Sequence, residues 1–337
     1  MAKPASFRAV FTVLGLCLGG LIALTLLGLT VFQRQIGEAI FARAVVANVG
    51  LDRSALLPDG LHVFVCGSGS PLPDTTRAGP CLGVLAGKRA FVFDTGSGGM
   101  RNLARMGFPV GRTEAVFLTH LHSDHIDGMG EALLQAWVGG SRKQPLPIYG
   151  PPGTERVVEG FNAVYAIDAR YRTAHHGPQI AAPEGFGGAA RMITVPKGPG
   201  GLAIVLEGVG LTIEAFLVNH SPVEPAYGYR IAYKGRVAVI SGDTVYDQGV
   251  VRAAKGADIL FHDTLQPEMV AQIGRAAAAN GDMALAKIMT DIEDYHASPE
   301  DAARAAQEAG VGTLVLSHIV PPLPTPILNA AFLGNAR

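Results

Sequence analysis

Between Thr119 and His125 the chain reads Thr-His-Leu-His-Ser-Asp-His, so three imidazoles and one carboxylate fall at His120, His122, Asp124 and His125. Neutral imidazole nitrogen and carboxylate oxygen are the usual ligands of zinc and its divalent neighbours. The apolar run Ala115-Val116-Phe117-Leu118 just before them reads as a strand. If the chain turns sharply out of that strand, His120 and His122 can reach one metal ion. Asp124 and His125 then point at a second ion beside it. Asp127, directly after the motif, reads as structural rather than ligating.

The elements that must position such a cluster recur along the sequence. Strand-like runs end at His120, at His220, at Asp243, at His262 and at His318, and sites at strand ends are common in layered α/β folds. Ala90–Phe93 ends at Asp94-Thr95-Gly96-Ser97-Gly98, which lacks the lysine of a phosphate loop. Asp94 is better read as a carboxylate that orients the metal-binding loop. Gly228–Tyr233 and Val237–Ile240 form a hairpin about Lys234-Gly235. Helical spacing covers Gly128–Trp137, a start at Thr154, and two runs at about 266–279 and 284–291. Ser298-Pro299-Glu300, an N-cap with proline and an acid in the first turn, starts a helix to Ala309. Residues 168–200 read as a long loop, either exposed or a lid with substrate contacts. The last strand is Thr313–Leu316, and the proline-rich tail after it reads as irregular.

Composition bounds the function. Twenty-seven basic residues against 28 acidic ones leave no broad cationic face of the kind nucleic-acid binding needs. Ala9–Phe32 carries no charge and is long enough to cross a bilayer, with Lys3 and Arg8 before it and Arg34 after. A cleaved signal peptide, using Ala42-Arg43-Ala44, is the competing reading. An uncleaved anchor is expected at 1–33, then a linker or membrane-proximal helix at 34–60, with the soluble domain at 61–337 outside the cytoplasm (the periplasm if the source is bacterial). Cys66 and Cys81 read as buried thiols rather than a pair.

The ordered set Asp94-x-Gly96, His120-x-His122-x-Asp124-His125, His220, Ser241-Gly242-Asp243-Thr244 and His318 resembles the metallo-β-lactamase superfamily from about Leu61 to Ile319. The resemblance implies an α/β fold, a four-layer αββα sandwich here preceded by one transmembrane helix. It implies two divalent metal ions: His120, His122 and His220 on one, Asp124, His125 and His318 on the other, and Asp243 between them. Zinc is the expected metal, with manganese or iron as alternatives. Asn219-His220, Gly228-Tyr229-Arg230, Phe261-His262-Asp263 and Tyr295-His296 are similar in order to the ribonuclease Z and arylsulfatase-type branch. His296 then matches the histidine near the scissile group, with Asp263 or His262 orienting it. The function implied is hydrolysis by hydroxide held between the metals, with Asp124, Asp243 and His296 as catalytic residues. A small ester (phosphodiester, aryl sulfate or lactone) is the expected substrate. Ribonuclease Z enzymes carry a long tRNA-gripping arm where this chain has only a tight hairpin, and Thr75 and Ala78 stand where their pattern has lysine and asparagine. Nucleic acid is therefore an unlikely partner and RNA hydrolysis the alternative, alongside a non-hydrolytic di-metal redox module; a homodimer is compatible with the sequence.

Overall fold

The structure, a computed structural model, describes residues 7–198 and 200–336; Lys3 and Pro199 lie outside them. The chain divides into a small N-terminal unit ending at Asp52 and a large one beginning at Arg53. In the small unit, helix α1 spans Phe7–Val31 and α2 spans Gln33–Asn48. Helical bonding continues through Phe32, whose N–H donates to Gly28 O and whose carbonyl accepts from Ile36. Leu14–Val31 has a mean hydropathy of 2.2 with none of it buried, so α1 has the length and composition of a membrane-crossing helix.

In the large unit two six-stranded sheets pack face to face. The first runs β1 (Leu61–Gly67), β2 (Cys81–Ala86), β3 (Arg89–Phe93), β4 (Thr113–Phe117), β5 (Leu146–Gly150), β6 (Gly188–Met192), neighbours in chain order. The second runs β7 (Leu202–Gly208), β8 (Leu211–His220), β9 (Val223–Tyr233), β10 (Arg236–Ile240), β11 (Ile259–Leu265), β12 (Thr313–Val320), again neighbours in order. Side chains alternate across a strand, and here both faces are apolar, as in sheets covered on both sides. Val84, Phe91 and Phe93 point between the sheets, where they meet Ile213, Tyr229 and Ile231. Leu85 and Val92 point the other way, under α3 (Gly99–Arg105), α5 (Met129–Gly140) and α6 (Thr154–His176), with the short α4 (Ser123–Ile126) between α3 and α5. Val239 and Leu260 face α7 (Gln248–Ala253) and α10 (Pro299–Ala309). Helices α8 (Pro267–Ala279) and α9 (Met283–Asp291) cover Leu265 and Val320. The layers are helix, sheet, sheet, helix.

The hairpin between β9 and β10 turns on Lys234 (φ 48°) and Gly235 (φ 81°), two left-handed residues that match the strand twist. Ser298 caps α10: its Oγ accepts from Asp301 N at 3.0 Å, and the Asp301 carboxylate accepts from Ser298 Oγ at 2.8 Å.

Three expectations need correction. Residues 168–176 complete α6 instead of opening a loop, and 188–192 form an edge strand; their polar side chains lie on a helix that buries only Thr154, Val158 and Ala169. Cys66 and Cys81 form a disulfide. A register shift in β1 between Val65 and Gly67 sets Gly67 opposite Cys81, which brings the two cysteine Cα atoms to 5.1 Å, within disulfide reach. The tail ends in a short helix, α11 (Asn329–Leu333), with Phe332 buried.

Candidate metal centre

Backbone irregularities at strand ends aim the polar side chains. Asp94 follows β3 in a left-handed conformation (φ 54°). Its Oδ1 accepts from Thr119 N at 2.8 Å, and its Oδ2 accepts from Thr119 Oγ1 and from His125 Nδ1, each at 2.8 Å. One buried carboxylate thus holds the first residue of the loop and the last histidine of the motif. In β12, Ser317 pairs with Asp263 and Ile319 with Thr264, so His318 (φ 47°) is an extra residue in a bulge, a device that re-aims a side chain. A similar shift in β8 between Val218 and His220 turns His220 inward.

The seven expected ligands converge although they span almost 200 residues of chain. His120, His122 and His220 form one group, Asp124, His125 and His318 another, and His120, His125 and Asp243 a third that joins them, each with donor atoms within 4.8 Å of one another. His120 Nε2 lies 2.9 Å from His122 Nδ1, which lies 3.4 Å from His220 Nε2. Asp243 Oδ2 is 3.3 Å from His125 Nε2, 3.1 Å from His318 Nε2 and 3.9 Å from His120 Nε2. Asp124 Oδ2 is 3.2 Å from His318 Nε2. All but His122 are buried.

Facing ring nitrogens repel unless a proton or a cation lies between them. Burial, then the charge of His125, holds His120 well below its ordinary pKa, so a proton there is disfavoured. Burial would raise Asp243, but His318 and His125 outweigh it and hold this carboxyl well below the usual range. Burial opposes charging of His125 too, yet Asp243, Asp94 and Asp124 raise its pKa well above normal; His318 is raised in the same way, chiefly by Asp243. His125 Nε2 is buried with no hydrogen-bond partner while its Nδ1 donates to Asp94. An imidazole oriented by a carboxylate with its other nitrogen bare is the usual arrangement of a metal-binding histidine. The donor set fits two divalent ions.

Beside the cluster, His296 Nδ1 donates to Asp263 Oδ2 at 2.9 Å. Its ring stacks on that of His318 at 5.0 Å, and its free nitrogen groups with Asp243 and His318. Asp263, rather than His262, orients it; His262 is buried behind, donating from Nδ1 to Asp263 O at 2.9 Å. Burial favours protonation of Asp263, but His262 and His296 hold its carboxyl below the usual range. Asp127 is exposed and outside these groups.

Two supports escaped the sequence. Tyr295 O accepts from His220 Nδ1 at 3.0 Å, and Thr119 Oγ1 lies 3.1 Å from His120 Nδ1. A backbone carbonyl carries no residue-type signal. The position of Thr119, directly before the motif, is the only clue to its hydroxyl.

Residues 89–319 match the family model described as "Beta-lactamase superfamily domain". A protein named Ribonuclease Z from Mycobacterium bovis (strain BCG / Pasteur 1173P2) is 40% identical over 263 residues, which is 77% of this chain and 86% of that one. One from Mycobacterium avium (strain 104) is 37% identical over 265 residues, 78% of this chain and 87% of that one. Among solved structures, human tRNase Z, short form, superposes with a TM-score of 0.54 at 24% identity, over 76% of this chain and 92% of that one. The metallo-beta-lactamase fold protein YhfI from Bacillus subtilis gives 0.54 at 22%, over 77% and 87%. The chain belongs to the beta-lactamase superfamily.

Proposed function

We propose that this member of the beta-lactamase superfamily is a phosphodiesterase working with two divalent ions, zinc first among the candidates, held by His120, His122, His220, Asp124, His125, His318 and Asp243. The observation that carries the reading is the convergence of those donors with a His296–Asp263 pair at their edge. Bound ions would acidify a water and offset charge that develops on the phosphoryl oxygens.

The protein's own groups supply the rest. Asp243 reaches both histidine groups and fixes their separation. Asp94 keeps the His125 proton on Nδ1, so that Nε2 faces the cluster. Asp263 accepts from His296 Nδ1 and so turns Nε2 away from itself. In the doubly protonated ring the Nε2–H is the proton that passes to the leaving oxygen, and the ring is left neutral with its remaining proton on Nδ1. The rings of His318, Tyr295 and His220 pack around His296 and narrow the access of water.

RNA is the substrate class favoured by relatives named Ribonuclease Z at 37–40% identity, which counts against the expectation that nucleic acid is an unlikely partner. A second reading, a small phosphodiester, is favoured by the two-residue turn between β9 and β10. We also propose that α1 anchors the chain and that the metal-bearing unit lies outside the cytoplasm. The apolar helix and the Cys66–Cys81 disulfide, a bond typical of oxidising compartments, are the support.

The test loads full-length protein with zinc, manganese or iron and offers four substrates: a precursor tRNA with a 3′ trailer, bis(p-nitrophenyl) phosphate, p-nitrophenyl sulfate and a lactone. Cleavage at the trailer supports the RNA reading, and turnover of only the aryl phosphodiester supports the second. Hydrolysis of sulfate or lactone with both phosphodiesters untouched would overturn the proposal, as would activity that survives Asp243→Ala.

A further inference from the structure

Next to the metal cluster lies a cavity of about 930 Å3, a size ordinary for a small-molecule site, which the proposed reaction does not use. Its walls come from residues 193–198 and 200–202, from the end of β8, from the start of β9 and from α7. Asn219 in the wall directly precedes His220. Tyr227 in the wall donates its backbone N–H to Thr119 O, beside His120. The cavity therefore abuts the strand ends that carry two of the cluster histidines.

The lining selects among ligands. Val195, Leu202, Val218, Ala226 and Ala253 are aliphatic. The two aromatic residues, Phe216 and Tyr227, are only 3% and 2% exposed, and the Tyr227 hydroxyl is committed to Ile193 O at 2.8 Å. Neither offers a free ring face, so nucleic-acid bases have no stacking platform here. Four charged residues also line the cavity. Asp247 is satisfied by the N–H groups of Gly249 and of Asn219, and Glu224 is exposed to solvent. Arg252 and Lys197 are exposed, and among the described residues neither is in an ion pair. Aliphatic walls with two unpaired cations suit a molecule with an alkyl body and an anionic end.

We infer that this cavity binds an anionic amphiphile, the alkyl chain lying along Val195, Leu202 and Val218 and the charged end meeting Arg252 and Lys197. A long-chain carboxylate and a lysophosphatidate share that chemistry. An apolar helix fit to reach a bilayer is an independent reason for such molecules to be at hand. The inference does not depend on the phosphodiesterase reading, because occupancy needs no metal and no turnover.

Photolabelling of the full chain in lipid nanodiscs tests it. Diazirine-bearing hexadecanoate and diazirine-bearing lysophosphatidate are irradiated with the protein, and labelled peptides are mapped by mass spectrometry. The expected label falls on peptides covering 193–202, 216–219 and 247–253, and excess unlabelled probe removes it. Either probe succeeding supports the site, and their ratio identifies the head group. Leu202→Asp should lower the label at least tenfold and Arg252→Glu several-fold, while His120→Ala leaves it unchanged. Label confined to Phe7–Val31, label that unlabelled probe does not displace, or label indifferent to both wall substitutions would overturn the inference. Displacement by an RNA oligonucleotide would overturn it too, and would mark the cavity as a nucleic-acid track.

Discussion

Asp94→Asn is the sharpest probe of the proposed metal centre, because it changes one atom and leaves the shape. In the native protein Oδ2 accepts two hydrogen bonds and Oδ1 one, all at 2.8 Å. An amide can keep only part of this set. If its nitrogen replaces Oδ2, it faces His125 Nδ1 as a donor. The imidazole must then carry its proton on Nε2, which points at Asp243, and the nitrogen meant for a metal is no longer bare. If the nitrogen replaces Oδ1, it opposes the Thr119 N–H, and the loop start loses its anchor. Either way at least one hydrogen bond to a charged group is lost, worth about 1.5–3 kcal/mol. At about 1.4 kcal/mol per tenfold, metal affinity should fall roughly 10- to 150-fold, in the range known for such outer partners. Chelator competition, with metal counted by mass spectrometry, reads the two sites separately. The loss should fall on the ion shared by Asp124, His125 and His318. Binding of both ions by Asp94→Asn within threefold of the native protein would refute the tautomer argument.

Other outcomes are open to measurement. The metal-free cluster raises the pKa of His125 and of His318 through Asp243 and its fellow carboxylates, so a cation has to displace protons from them up to a higher pH than from an ordinary imidazole. Calorimetry of metal binding in buffers of different ionisation enthalpy should show proton release at pH 7 that shrinks as pH rises; release near zero at pH 7 would contradict this. For His296→Ala, kcat on a phosphodiester with a poor leaving group should drop about 10²- to 10⁴-fold, with a much smaller loss on nitrophenolate, which leaves without a proton; equal losses would rule out the proton-donor role. Replacing Cys66 and Cys81 by Ala opens a loop with a sequence separation of 15. A loop that size is worth about 3 kcal/mol, so melting followed by Trp137, the only tryptophan and a buried one, should fall by roughly 5–10 °C. A shift under 1 °C would show that the bond restrains nothing.

Much of the site was legible in the residue types. Three histidines and an aspartate packed into His120–His125, together with single His or Asp residues closing apolar runs at His220, Asp243 and His318, have few uses other than metal binding. Apolar runs declared where most strands lie, though β9 and β12 extend beyond the runs Gly228–Tyr233 and Thr313–Leu316, and Ser298-Pro299 declared the start of α10. The 168–200 stretch was misread because its polar, proline- and glycine-containing composition hides a surface helix that buries only three side chains; α6 shows weak amphipathic contrast, and local pattern has little to register. The cysteines were misread because pairing depends on register, and the shift between Val65 and Gly67 has no signature of its own.

The amino-acid sequence alone determined which groups are available for chemistry, since metal ligation requires particular side chains and their identities are written in the chain. It also determined that α1 is apolar enough to span a bilayer. Only the tertiary structure decided how those groups meet. The register shift between β8 and β9 beside His220, the bulge at His318 and the left-handed turn at Asp94 set the direction of individual side chains. Such directions arise from pairing between strands far apart in sequence, and no local stretch encodes them. The same pairing decided that Asp263, and not His262, faces His296: adjacent residues of a strand point to opposite faces, and only the packed sheet fixes which face is which.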